Sequence, residues 1–218
     1  MRALAVVLVV TCALAPGAGC RRGTPARHLD LDAIRVTSDA RLRTDTVGDG
    51  RFASEATFVL IDAENLAGEG AYVTLGGELT DQAGATLGQL NSQSLWIPGG
   101  ERRTFALVDT ARVPRPASAS ARIKVYGALI PDSPPAARIT DLHVFDDHGK
   151  SVVQANLVND ATRLGTIMVI AAFHGPDGRP MTRPFQLVPI DGGQTRPVQF
   201  VGPAGSTRGT MFVGDVVY

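Results

Sequence analysis

The sequence predicts an all-β protein in which two tandem immunoglobulin-like antiparallel β-sandwiches follow an N-terminal signal peptide. Two observations predict the sandwiches: short segments in which apolar and polar residues alternate, and a repeat of that pattern at an offset of 94 residues. The composition agrees, because 24 glycines and 14 prolines supply many turns and 44% hydrophobic residues supply real cores. No window of a dozen residues has the 3.6-residue period and the caps of an α-helix.

The N-terminal segment has the organisation of a signal peptide. Arg2 precedes an apolar run over residues 3–15, which is too short to cross a membrane but fits the apolar centre of a signal peptide. Small residues from Pro16 to Gly19 then break the run before Cys20. We therefore predict a signal peptide over residues 1–19 and an extracytoplasmic location for the rest of the chain.

Cys20 is the predicted lipidation site. Cys12, the other cysteine, lies in the apolar run and is lost on cleavage, so a single cysteine remains at the new N-terminus. This arrangement, with Ala18 and Gly19 in the small positions of the lipobox, resembles a bacterial lipoprotein. The resemblance implies an acylated Cys20, a lipidated tether over residues 20–30 and attachment to a cell-envelope membrane.

The residue after the cysteine bears on which membrane holds the anchor. By the usual sorting rule of such lipoproteins, Arg21 rather than an aspartate in this position favours the outer membrane of a Gram-negative cell. Cleavage without acylation, which would leave a soluble periplasmic or secreted protein, is the alternative.

The rest of the chain contains a tandem repeat. Three pairs of turn residues match at the offset of 94: Asn65 with Asn159, Gly84 with Gly178, and Gly99 with Gly193. Apolar strand residues between them also match: Val73, Leu75 and Leu79 with Ile167, Val169 and Phe173. We predict β-sandwich domain 1 over residues 31–131 and β-sandwich domain 2 over residues 132–218, joined by the proline-rich segment 131–135.

The strands are predicted in the same order in both repeats. In the first they include residues 56–61, 71–79, 104–108 and 121–126, and in the second 152–158, 167–173, 197–201 and 210–218. Asp81–Gly84 and Pro176–Gly178 are predicted hairpin turns, in which glycine supplies a positive φ and aspartate caps the turn. About seven strands per repeat, with a turn every 8–12 residues, are typical of an immunoglobulin-like sandwich.

Each repeat resembles the bacterial FxLyD-type domain, an extracytoplasmic β-sandwich common in lipoproteins. The shared features are an asparagine near a strand end, an alternating strand, an Asp/Gly hairpin and a glycine-rich turn before the next strand. The segments that stand in the place of the signature are Gly77–Asp81 and Ala171–Gly175. The resemblance implies no catalytic residue.

The sequence carries no recognisable catalytic apparatus, and we predict no enzyme, no cofactor and no metal site. It has no G-x-S-x-G nucleophile elbow and no phosphate-binding loop with its lysine, and the cysteine of the mature chain is assigned to lipidation. The 21 basic and 21 acidic residues balance, and no basic stripe with interleaved aromatics occurs. We therefore predict no nucleic-acid partner.

Histidines and aromatic residues give two weaker indications of binding. His28, His143, His148 and His174 are dispersed along the chain and are expected to be solvated, although sandwich folds can carry copper when such ligands cluster. Trp96 is the single tryptophan and points away from the face shared by its neighbours, and Tyr72 and Tyr126 also occupy polar strand faces. These three aromatics are candidate ligand contacts, and for Trp96 the preferred alternative is coverage of a core whose far face is also buried.

Three functions follow, in order of preference. The first is a non-enzymatic cell-envelope lipoprotein that serves as an interaction or spacer module and engages another envelope protein, with strand addition at an exposed sheet edge as the expected contact. The second is a glycan- or peptide-binding module that uses Trp96 and Tyr72. The third is copper handling.

Overall fold

The structure, a computed structural model, describes residues 26–37, 40–48 and 50–217. The signal peptide and Cys20 lie outside the described residues, so the lipid anchor stays a prediction. The described residues form 15 β-strands and two short 3₁₀-helices, with no α-helix, which confirms the predicted all-β fold. None of their helices is long and apolar enough to cross a membrane.

The strands follow one another along the chain with short connections. They are β1 (Arg27–His28), β2 (Ile34–Val36), β3 (Arg41–Val47), β4 (Ser54–Asn65), β5 (Ala71–Thr80), β6 (Thr86–Ile97), β7 (Arg102–Val108), β8 (Ser120–Ile130), β9 (Ala137–Asp147), β10 (Lys150–Asn159), β11 (Gly165–His174), β12 (Pro180–Thr182), β13 (Phe185–Ile190), β14 (Thr195–Ala204) and β15 (Arg208–Val217). The 3₁₀-helices are Leu31–Ala33 and Gly50–Phe52. We refer to β1–β8 as the first half and to β9–β15 as the second half.

Four antiparallel sheets build two sandwiches with the same topology. In the first half, sheet A has the order β1-β8-β5-β6, and sheet B places β2 and β3 along one side of β4 and β7 along the other. In the second half, sheet C has the order β14-β10-β9, and sheet D places β12 and β13 along one side of β11 and β15 along the other. The segment that contains the predicted domain boundary connects β8 to β9.

The alternation read from the sequence decides which face of each strand is buried. In β5, Ala71, Val73, Leu75 and Leu79 are fully buried, while Tyr72 on the opposite face is half-buried. Successive side chains of a strand point to opposite faces, so one apolar set lies inside the sandwich. The corresponding residues of β11 are likewise buried, as the repeat predicts.

The turn chemistry of the two repeats is also equivalent. Asn65 donates from Nδ2 to the carbonyls of Glu69 (2.8 Å) and Ile97 (3.1 Å), and Asn159 donates to those of Arg163 (3.0 Å) and Ile190 (3.1 Å). Each side-chain oxygen accepts the backbone N–H two residues later. Because both side chains are buried, these bonds satisfy amide groups of the asparagines that water cannot reach.

The hairpin turns before β6 and β12 are confirmed. Gly84 and Gly178 have φ of +85° and +76°, which glycine adopts without steric cost. Asp81 accepts the backbone N–H of Ala85 at 2.8 Å, and Asp177 accepts that of Arg179 at 3.1 Å. Each aspartate therefore caps its turn through the side chain, as expected.

The proposed match of Gly99 with Gly193 is wrong by one residue. A Cβ on Gly99 would meet the backbone of Gly68 at 2.6 Å, and a Cβ on Gly192 would meet the backbone of Thr162 at 2.4 Å, so Gly192 is the structural counterpart. Gly193 instead matches Gly100, and their φ values are +71° and +73°. The offset falls by one within the segment where two shorter strands, β12 and β13, replace the continuous β6.

The described residues form two apolar cores, and one of them includes residues of both halves. One core holds residues of sheets C and D and lies entirely in the second half. The other lies between sheets A and B but also includes Ile170, Ala172 and Phe212 of sheet D. The outer face of sheet D therefore packs against the first half, and we name this contact the inter-half interface.

His174 is buried in the inter-half interface, so the expectation that it is solvated is wrong. It follows Ile170 and Ala172 on the outer face of β11, which the first half covers. Its Nε2 lies 2.9 Å from Oδ2 of the buried Asp62, whose Oδ1 accepts a hydrogen bond from Thr104 Oγ1 at 2.5 Å. A buried polar group loses its hydration, and this chain of hydrogen bonds compensates for that loss.

Two arginines reinforce the inter-half interface. Arg183 donates from Nε to the carbonyl of Thr104 at 2.7 Å, and Arg43 donates to the carbonyl of Met181. Burial lowers the pKa of the Arg183 guanidinium to about 10, and the nearby charge of Asp215 acts in the opposite direction. The guanidinium carbon lies 5.9 Å from the centre of the Phe212 ring, within cation–π range.

Candidate functional site

Trp96 and Tyr72 form an aromatic pair on the outer face of sheet A. They are directly opposite each other on β6 and β5, and their ring centres are 5.5 Å apart at an interplanar angle of 57°. A Cβ on Gly70 would lie 2.4 Å from the indole ring, so the indole rests on glycine backbone. Both side chains are half-buried, and the tilt of the rings leaves no flat shared platform.

Tyr126 lies on the same face but apart from that pair. The Tyr126 ring covers Gly76, and a Cβ on Gly76 would lie 2.5 Å from that ring. Tyr126 as a whole is 55% exposed. Between the two aromatic positions runs the Thr74–Ser94 row, whose hydroxyls are 3.2 Å apart. The structure thus brings two of the three predicted contact residues together and leaves the third in a separate position.

A cleft between the two halves begins at Trp96. Its volume is about 600 Å³. The first half contributes Trp96, Pro98 and Arg103, the linker contributes Pro134 and Pro135, and the second half contributes Ile139, Leu142 and Phe212, among others. We call this space the Trp96 cleft.

The charged groups around the Trp96 cleft are paired. Arg138 binds both carboxylate oxygens of Asp160, at 2.6 and 3.2 Å. Arg103 lies 2.7 Å from Glu101, and while burial lowers the pKa of Arg103, Glu101 partly opposes that effect. Since these charges neutralise one another and the other named residues are aromatic, aliphatic or proline, the cleft is suited to an uncharged, partly apolar ligand.

Strand β9 forms one wall of the cleft and is an exposed sheet edge. Among the described residues it forms a ladder with β10 alone. Every residue from Asp141 to Asp147 is exposed, and Leu142, Val144 and Phe145 are 43–45% exposed. An edge strand with unpaired backbone groups and apolar side chains is a template for pairing with another strand.

The sequence contains a signal for this edge that simple alternation does not capture. Val144 and Phe145 are adjacent apolar residues, so they point to opposite faces of β9 and cannot both lie in one sandwich core. Asp141, with φ of +50°, precedes them at an irregularity in the β9–β10 register. The bulge redirects the strand and both faces of its second part become exposed.

The histidines do not assemble a metal site in the part of the chain that the structure describes, where no group of three His, Cys, Asp or Glu side chains could hold a metal ion. His174 is bound to Asp62, and His148 Nδ1 lies 2.6 Å from Asp147. In the buried chain the carboxylate lies between the threonine and the histidine, whereas a catalytic triad needs the histidine between the acid and the nucleophile. This chain of hydrogen bonds therefore does not have the order of a catalytic triad.

Comparisons with known proteins assign no family to the chain. No protein-family model matches it, and no match was found among curated proteins. The resemblance of each repeat to the FxLyD-type domain stays a prediction that rests on the motifs quoted above.

Proposed function

We propose that this protein is a non-enzymatic binding protein of the cell envelope, anchored by a lipid at Cys20, that captures an extended segment of another envelope protein along β9. The observation that carries the proposal is the exposed β9 edge, with its apolar side chains and unpaired backbone. Strand addition satisfies such an edge through main-chain hydrogen bonds, and side-chain pockets beside it select the sequence.

The Trp96 cleft supplies such a pocket beside the edge. Leu142 belongs both to β9 and to the wall of the cleft, so the cleft lies beside the strand on which the partner would pair. Aromatic and proline walls suit a large apolar side chain of the incoming segment. Residues of both halves line the cleft, so the tandem arrangement has a role in binding as well as in spacing.

The anchor is supported by the N-terminal sequence. A signal peptide followed by a cysteine would place the folded part next to a membrane, close to other envelope proteins. Metabolic palmitate labelling tests this part: label should enter the wild type and be lost in Cys20→Ala. Equal labelling of the two would contradict lipidation at this cysteine.

Site-specific photo-crosslinking tests the binding edge. A photoreactive amino acid in place of Leu142 should give a discrete adduct in the native cell, and the same probe in place of Leu66 serves as control. Leu66 is also an exposed leucine but lies in the loop after β4 rather than on a strand.

A charged residue on the edge provides the second arm of this experiment. Val144→Lys should abolish the Leu142 adduct, because lysine on an edge strand opposes pairing, while circular dichroism stays unchanged. An adduct that forms equally from position 66, or that survives Val144→Lys, would exclude strand addition at β9.

The second candidate is a glycan-binding module that uses the aromatic face of sheet A. The half-buried indole of Trp96 on an outer sheet face favours it, because a single aromatic ring can stack on the apolar face of a sugar. Trp96→Ala should then remove binding on a glycan array. A folded Trp96→Ala variant that binds like the wild type would count against this function.

A further inference from the structure

A second cavity between the halves, about 320 Å³ in volume, is lined by positively charged side chains. Its walls are Arg102 and Thr104 of β7, His174 of β11, and Arg208, Gly209 and Thr210 of β15. Neither Arg102 nor Arg208 is assigned a role by the strand-addition function. We call this space the arginine cavity.

Both guanidinium groups are held loosely. The hydrogen bond from Arg102 Nη2 to Glu64 is 3.5 Å long, and Arg208 Nη2 reaches the carbonyl of Gly178 at 3.4 Å. Glu64 is bound more closely by Arg35, which lowers the pKa of Glu64 by hydrogen bonding. A guanidinium has five N–H donors, so each arginine retains donors for a ligand in the cavity.

The acidic groups beside the cavity are already engaged. Asp62 uses one oxygen for Thr104 and the other for His174, and its side chain is buried. Glu64 is shared between Arg35 and Arg102, so it offsets one of these two arginines. Arg208 is left as a positive charge that faces the cavity, with Arg102 as a second donor on the opposite half.

We propose that the arginine cavity binds a phosphate group. Two arginines from different strands line the same cavity and offer more donors than the two oxygens of a carboxylate accept, whereas a phosphate offers three or four acceptor oxygens. The walls come from both halves, so bound phosphate would bridge the inter-half interface. This site is separate from the strand-addition function and does not depend on it.

Calorimetric titration of the purified full chain with inorganic phosphate tests the site, with glycerol 3-phosphate and acetate titrated in parallel. We expect one site for phosphate or its ester and much weaker binding of acetate, since acetate lacks the additional oxygens. Tighter binding of the free ion or of the ester would identify the source of the phosphate group. Failure of both to bind, or equal binding of acetate, would overturn the proposal.

Arginine variants locate the site. Arg208→Ala and Arg102→Ala should each weaken phosphate binding roughly tenfold, because each removes a charge-assisted hydrogen bond. Arg196→Ala is the matched control: Arg196 is exposed and, like Arg208, donates to a backbone carbonyl, here that of Pro189 at 2.8 Å. If Arg196→Ala weakened phosphate binding as much as the two cavity variants, phosphate affinity would depend only on the overall charge of the protein. That result would overturn the assignment to this cavity.

Discussion

Replacing Phe212 by alanine tests whether the two halves unfold as one unit. Phe212 lies on β15 of the second half, yet it is 2% exposed and belongs to the core between sheets A and B. Its ring also lies 5.1 Å from the guanidinium carbon of Arg103 and 5.9 Å from that of Arg183. The substitution therefore removes a contact on which the first half depends.

The expected loss of stability is large. Truncation of a buried phenylalanine costs about 3–5 kcal/mol, since the transfer free energy of the ring is lost and a cavity remains. The two arginine contacts place the expected value near the middle of that range, about 4 kcal/mol. With a urea dependence of about 2 kcal/mol/M, the unfolding midpoint should fall by about 2 M.

Trp96 provides the assay, because it is the single tryptophan and lies in the first half. Urea unfolding followed by Trp96 fluorescence reports the first half, and far-ultraviolet circular dichroism reports both. If the halves form one cooperative unit, Phe212→Ala should shift both midpoints together.

Phe185→Ala is the matched control for this experiment. Phe185 is opposite Ile170 on β13 but is 57% exposed, so its truncation should change stability by less than about 0.5 kcal/mol. A Trp96 midpoint that stays fixed in Phe212→Ala while circular dichroism detects an earlier, separate transition would refute the shared core.

Two further predictions concern the repeat. Asn65→Ala and Asn159→Ala should each lower the free energy of unfolding by about 3 kcal/mol, because each leaves buried backbone groups without partners. Asn91 is exposed, so Asn91→Ala is the control and should have little effect. Unequal losses of stability for Asn65→Ala and Asn159→Ala in thermal denaturation would contradict the equivalence of the two turns. Gly192→Ala should lower the free energy of unfolding by about 1–3 kcal/mol, because its Cβ would lie 2.4 Å from the backbone of Thr162. Gly127→Ala is the control and should be close to neutral, because a Cβ on Gly127 would have nothing within 4 Å. Equal denaturation midpoints of these two variants would show that the backbone contact is unimportant.

The shared core was not predicted from the sequence, although one segment contains a signal for it. Residues 167–173 form a continuous apolar run rather than an alternating one, which is the pattern of a strand buried on both faces. The alternation and the repeat assign Ile167, Val169 and Phe173 to the core, but they do not assign the intervening Ile170 and Ala172. A second buried face requires a second layer, and the sequence did not identify sheet B as that layer.

The candidate site was partly accessible to sequence reasoning. The alternation of β6 predicted that Trp96 lies on the face opposite Leu95 and Ile97, and both of those residues are buried. The pairing of Trp96 with Tyr72 depends on the register between β5 and β6, which two irregularities in the ladder and a hairpin turn set together. The arginine cavity was not predicted, because Arg102 and Arg208 come from different halves.

The sequence by itself determined the strand pattern, the turn positions at Asn65, Gly84 and their counterparts, and therefore the all-β class. These features are local, since a period of two and a glycine with positive φ depend on a few neighbouring residues. The tertiary structure alone decided which outer faces are covered, and so placed His174 and Phe212 inside while leaving β9 exposed. Burial of an outer face depends on contacts between residues distant in the chain, for which local periodicity provides no information.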